Sequence, residues 1–183
     1  MKKYAFLLVA ALFVLALNSA VAQVVPIPVS ATVTATPLAI TAGELALDAL
    51  QVNQTYSVVP DGAGSALLEP VLNAEAVSTY TETEIAGDGN ARVLVTMSCP
   101  SRLYDISTPA QGWVEVSYNG SSAAWGPTGA TTNYFNPTNP VVVDLDPAGA
   151  VFIGHGGIFH VPSNAGPGTF TGNIMMTAVY TGF

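Results

Sequence analysis

The chain holds two histidines, His155 and His160, one cysteine, Cys99, and twelve carboxylates, and these bound the chemistry open to it. His155 lies in Gly154-His155-Gly156-Gly157, a run with the composition of an oxyanion loop. Acyl transfer on such a loop also needs a Gly-x-Ser-x-Gly elbow between a strand and a helix. Ser65 has Ala63 two positions before it and Ser122 has Ala124 two positions after it, so neither forms the elbow. The run reads instead as a glycine-rich bend at a strand boundary.

A structural zinc site takes four protein ligands and a catalytic one three. His155 and His160 are five positions apart, and in an extended segment that spacing turns them to opposite faces unless a bulge intervenes. Asp144 and Asp146 share a face of an extended chain, and Asp88-Gly89-Asn90 is an oxygen-rich turn, chemistry that suits calcium. Neither contains the Asp-x-Asp-x-Asp-Gly loop, and Asp beside Pro147 or Gly89 is ordinary turn chemistry. Cys99 shares parity with Val93, Val95 and Met97, which puts its thiol on the apolar face of a strand, and no neighbouring Lys or His stabilises a thiolate. These residues assemble no catalytic, cofactor-binding or metal-ligating set, and the expectation is a protein without enzymatic activity or cofactor.

Trp113, Tyr118, Trp125, Tyr134 and Phe135 fall along a strand and the connection after it. Sugar-binding platforms are built from such side chains, and so are β-sheet cores. Trp125, Tyr134 and Phe135 are the candidate glycan contacts.

The elements that position these residues read as strands. No segment beyond the N-terminal apolar stretch sustains the i, i+3, i+4 spacing of an amphipathic helix, whereas period-2 runs bounded by Gly, Pro, Asn and Asp recur. The clearest is Val29 to Thr36, apolar at odd positions and hydroxylated at even ones. Further strands are expected at Leu45–Leu50, Tyr56–Val59, Val77–Ile85, Val93–Cys99, Trp113–Tyr118, Val141–Leu145, Ile158–Val161 and Thr169–Tyr180. Turn signals between them are Pro60-Asp61-Gly62, Gly87-Asp88-Gly89-Asn90, Tyr118-Asn119-Gly120 and Asp146-Pro147-Ala148-Gly149. Gly120 to Pro140, dense in Gly, Ser, Thr, Asn and Pro, reads as a long surface connection. The expected fold is all-β: a single antiparallel β-sandwich, Ig-like or pilin-like, over residues 29–183, with one hydrophobic core.

Ahead of it, Met1-Lys2-Lys3, an apolar stretch from Tyr4 to Leu17 and the small residues Ala20 and Ala22 have the layout of a secretory signal peptide over residues 1–22. Residues 23–28, with Pro26 and Pro28, form a short extended leader. With Cys99 the sole cysteine, neither a lipid anchor at the first mature residue nor an intrachain disulfide is expected. Past the signal, Arg92 and Arg102 face twelve carboxylates, a balance repelled by nucleic acid and by anionic membranes. The expected location is secreted, at the cell surface or in the periplasm, with no membrane insertion after cleavage.

Val151-Phe152-Ile153-Gly154-His155-Gly156-Gly157-Ile158-Phe159-His160-Val161-Pro162, then Ala165-Gly166-Pro167-Gly168-Thr169-Phe170-Thr171-Gly172 and a strand ending in Tyr180, resembles the C-terminal half of the DUF4402 family of exported bacterial proteins. Ala31 to Ile40, Val58-Val59-Pro60-Asp61-Gly62 and Ala86-Gly87-Asp88-Gly89 are similar to that family's opening strand and turns, whereas Leu45 to Leu50 departs from its Leu, Phe and Gly pattern. The ending is also similar to that of spore-coat-U-type pilins of the archaic chaperone-usher class, whose domains lack one strand and take it from a neighbouring subunit. That likeness implies Val29, Ala31, Val33 and Ala35 as the side chains of a donated strand. The same alternation marks any half-buried first strand of a chain's own domain, which is the simpler reading. Usher-class pilins also commonly carry a disulfide, which a lone cysteine does not supply within one chain. The resulting expectation is a surface protein, a pilus, filament or matrix subunit assembling by β-strand pairing with copies of itself or another subunit. The alternative is an adhesive module that binds glycan through the aromatic-rich connection.

Overall fold

A computed structural model of the chain describes residues 35–70, 76–105 and 112–182, and every regular element in them is a strand. In chain order these are β1 (Ala39–Thr41), β2 (Glu44–Asp48), β3 (Gln54–Pro60), β4 (Ala66–Glu69), β5 (Ala76–Thr81), β6 (Thr83–Ala86), β7 (Arg92–Ser98) and β8 (Arg102–Asp105). They continue as β9 (Trp113–Ser117), β10 (Ala123–Gly126), β11 (Asn133–Phe135), β12 (Val141–Asp144), β13 (Ala150–His155), β14 (Gly157–Val161), β15 (Phe170–Thr171) and β16 (Met175–Gly182). The signal-peptide and leader segments lie outside the described residues, as do residues 29–34 of the expected first strand. Its last two residues, Ala35 and Thr36, have no regular structure.

All pairings are antiparallel, and they build four sheets: β1-β6-β13-β10-β11, β12-β7-β16, β15-β8-β9-β14-β3-β4 and β2-β5. The all-β class and the layered packing follow from alternation. In β7, Val93, Val95 and Met97 are buried while Arg92, Thr96 and Ser98 face water. In β3, Tyr56 and Val58 are buried and Thr55 stays exposed. Each fully buried Val or Ile is worth roughly 1.5–3 kcal/mol of transfer free energy, so the period-2 pattern fixes which face turns inward.

The single expected core is instead two. One lies between the five- and three-stranded sheets and is built from Ile85, Val93, Val95, Val143, Val151 and Ile153. The other gathers Tyr56, Val58, Val114, Val116, Phe159 and Val161 of the six-stranded sheet, with Leu45, Leu47 and Val77 of the two-stranded sheet packed against them. The antiparallel all-β sandwich architecture is as expected, and its core divides because three extended runs cross from the sheets of one cluster to those of the other: β1 into β2 at Gly43, β5 into β6 at Glu82, and β13 into β14 at Gly156. Strands that change sheet do so at bends, where a side chain is a hindrance. A β-carbon on Gly43 would collide with the Thr81 carbonyl oxygen, and one on Gly156 with that of Val58.

The expected strand Val77–Ile85 is accordingly broken at Glu82, and Thr169–Tyr180 is split into β15 and β16. The Gly120–Pro140 segment is not a surface connection: it carries β10 and β11, with β10 hydrogen-bonded between β13 and β11. Ala123 and Ala124 are fully buried there, because small side chains admit close packing that composition alone makes look loop-like.

Candidate functional site

The feature of the described residues most suited to a partner is the outer edge of the three-stranded sheet. β16 is the edge of that sheet, paired only with β7, and its eight residues make it the longest edge strand in the molecule's described part. The other edges are shorter: β1 and β11 have three residues, β12 and β4 four, β15 two, and β2 and β5 of the two-stranded sheet five and six. Proteins blunt exposed edges with charge, especially Lys, with Pro, or with short strands. Met175-Met176-Thr177-Ala178-Val179-Tyr180-Thr181-Gly182 has neither a charge nor a proline.

Its inward residues Met176, Ala178 and Tyr180, and Ile174 just ahead of the strand, pack against the first core yet stay half-exposed, whereas Val93 and Val95 of the adjacent β7 are fully buried. On its outer face Met175 is 69% and Val179 61% exposed. The core is therefore less well covered along β16 than along β7.

The near-terminal Tyr180 ties this edge to the start of the described chain. Its hydroxyl accepts the Asp88 N–H at 2.7 Å and donates to the Thr36 carbonyl at 2.8 Å, and the Asp88 carboxylate accepts the Thr36 N–H at 2.9 Å. Gly87 makes room for it, since a β-carbon there would overlap the tyrosine hydroxyl. Thr36, the last residue of the alternating segment, is thus held next to the end of β16. Of its four candidate strand-donor residues, Val29, Ala31 and Val33 lie outside the described residues, and Ala35 is half-buried.

The three candidate glycan contacts are not brought together on one surface. Register places Ala123 opposite Phe135 and Ala124 opposite Tyr134, so Trp125 and Phe135 share one face of the sheet and Tyr134 takes the other. Trp125 and Phe135 pack against the first core. Tyr134 is exposed, and its hydroxyl donates to the Pro60 carbonyl at 2.9 Å.

The other polar candidates are also separated. His155 ends β13, with Nε2 2.8 Å from the Thr83 hydroxyl and Nδ1 buried without a hydrogen-bond partner among the described residues. Burial pushes its pKa down to about 4, because protonation would put an unmatched charge and a second N–H into a closed environment. His160 sits beyond the Gly156 bend on the six-stranded sheet, with Nδ1 3.0 Å from the Thr55 hydroxyl. Asp144 pairs with Arg92 at 3.2 Å on the surface, while Asp146 accepts the Ala150 N–H at 2.9 Å and closes its own turn. Cys99 packs beside the first core, and burial pushes its thiol pKa up, which keeps it protonated. Among the described residues no three His, Cys, Asp or Glu side chains converge as metal ligands.

The composition of β16 marks it as a strand but not as an edge, because edge status depends on pairings between segments 77 to 90 residues apart. No family model, curated protein or solved structure matches this chain.

Proposed function

We propose that this is an exported, non-catalytic surface protein, a subunit of a filament or matrix, in which the alternating segment Val29–Thr36 of one chain adds as a strand to the β16 edge of another. The single observation that carries the reading is that edge: eight uncharged residues with no strand beside them other than β7 among the described residues, whose inward side chains Met176, Ala178 and Tyr180 are only half-buried over the first core. Strand addition hydrogen-bonds the backbone N–H and C=O groups along a sheet edge and seats alternate side chains in an apolar seam. Val29, Ala31, Val33 and Ala35 have the size and spacing for that seam; the resemblance to strand-exchanging pilins agrees with donation, and that to DUF4402 proteins with export. The absence of charge on either strand favours pairing in a chain whose remaining surface is acidic. The non-catalytic part of the reading is supported by His155 and His160 lying on different sheets, each hydrogen-bonded to a threonine.

Purified processed protein is expected to sediment as concentration-dependent oligomers. Val33→Lys, which drives a charge into the apolar face of the donated segment, should weaken self-association at least about tenfold, since an unpaired charge in an apolar seam costs several kcal/mol. Wild-type protein that stays monomeric at high concentration overturns the proposal.

A further inference from the structure

The outer face of the six-stranded sheet carries a second arrangement, independent of the β16 edge. Its strands line up outward-facing side chains in rows. Arg102 stands opposite Glu115, Glu115 opposite His160, and His160 opposite Thr55. One pleat along, Tyr104 stands opposite Trp113. A row across four strands spans about 14 Å at the ordinary interstrand spacing.

Solvent-facing strand positions are usually short polar or charged residues, and this face departs from that pattern. Tyr104 is 50% exposed, and Trp113 and Ile158 also point outward. The scarcest residue types of the chain collect here: one of two tryptophans, one of two histidines, and one of the two cations beyond the N-terminal lysines. The side chains hold one another in place. The Arg102 guanidinium lies 4.5 Å from the Trp113 ring centroid, the Trp113 Nε1–H points to Glu115 Oε1 at 3.4 Å, and Thr55 fixes His160. A groove of about 420 Å³ runs over Arg102, Tyr104, Glu115 and His160, and a second of about 780 Å³ adjoins it at Ile158.

From this geometry we infer that the outer face of the six-stranded sheet is a binding platform for a neutral oligosaccharide. Tyr104, with the Arg102–Trp113 stack beside it, supplies a flat apolar surface for the face of a sugar ring. Sugar hydroxyls both donate and accept, and the row offers both roles: Arg102 donates, Glu115 accepts, and His160 keeps Nε2 for the ligand while Nδ1 is engaged by Thr55. Because these groups are already ordered by mutual contacts, binding immobilises little. Neutrality follows from charge. Glu115 at the centre of the row and the acidic balance of the chain disfavour a polyanion, and the other arginine, Arg92, is engaged by Asp144. The platform is distinct from Trp125, Tyr134 and Phe135, which belong to the five-stranded sheet.

Titration calorimetry of the purified protein with cellohexaose, xylohexaose, mannohexaose and an oligogalacturonide tests this. The expected result is binding of a neutral hexaose that Tyr104→Ala weakens by about tenfold or more, the loss of one stacking contact and its area. Glu115→Gln, a substitution at an exposed position, should weaken it comparably, while Tyr134→Phe leaves it unchanged. The inference is overturned if no neutral hexaose binds, if only the oligogalacturonide binds, or if binding survives both Tyr104→Ala and Glu115→Gln at wild-type strength.

Discussion

Replacing Gly156 by alanine is expected to destabilise the protein by about 3 kcal/mol and to lower its melting temperature by about 9 °C, from the usual cost of forcing atoms into a packed site and the scaling for a domain of this size. Gly156 is the joint where β13 leaves the five-stranded sheet and β14 enters the six-stranded one. A β-carbon there would overlap the Val58 carbonyl oxygen, and its N–H donates to the Ser122 carbonyl at 2.7 Å. The obstruction is backbone on a paired strand, with Gly157 directly opposite Val58, so relief requires the β14–β3 ladder to open. Gly120 is the matched control: a β-carbon there meets nothing within 4 Å, and Gly120→Ala should change stability by less than about 0.5 kcal/mol. Equal melting temperatures for the two variants would show that the crossing does not constrain the fold.

The second large effect is on pH dependence. His155 has a pKa pushed down to about 4 by burial, against an unfolded value of about 6.5. Between those values the unfolded chain binds the proton and the folded chain does not, so stability rises with pH across that window. On acidification from pH 7 to pH 4 the side chain should remove roughly 3 kcal/mol of stability. Carboxylates contribute to acid sensitivity too: the Ser65 hydroxyl and the Ala63 N–H hold the Asp61 carboxyl below its ordinary range, so its contribution is lost as pH falls through that lowered value. The difference between wild type and His155→Gln in urea unfolding at pH 7 and pH 4 isolates the histidine. The variant should lose about 3 kcal/mol less over that interval; parallel losses would place the imidazole in water.

Much of the fold is written locally. The parity of Val93, Val95 and Met97 predicts their burial, and Cys99, on the same parity, packs beside that core. The turns at Gly87–Asn90 and Asp146–Gly149 are where expected, and they bond to each other through Gly87 N–H to the Gly149 carbonyl and Asn90 N–H to that of Asp146. What is not legible depends on pairing between distant segments. β10 has a short Ala-Ala-Trp sequence with no strong strand signal, and it becomes a strand because β13 and β11 flank it. The two-core division turns on single glycines at bends, which a reading of hydrophobic runs passes over. Trp125 and Tyr134, nine residues apart, divide between opposite faces through register, while Tyr104 and Trp113, also nine apart, share one face and are joined there by His160 from a remote strand. The candidate edge is hidden for the same reason: the composition of β16 is visible, but its place at the end of the strand order among the described residues is a property of the sheet.

Strand exchange at that edge is tested most directly by disulfide trapping between chains. In a Cys99→Ser background, one tagged chain carries Val33→Cys and a second, differently tagged, carries Met176→Cys or Ala178→Cys on the inward face of β16. The account predicts disulfide-linked pairs bearing both tags for at least one inward position, and none for Val179→Cys on the outward face. Absence of mixed-tag pairs at both inward positions, or, in a further chain made with Val33→Cys and an inward β16 cysteine together, a bond formed only within that chain, would contradict it.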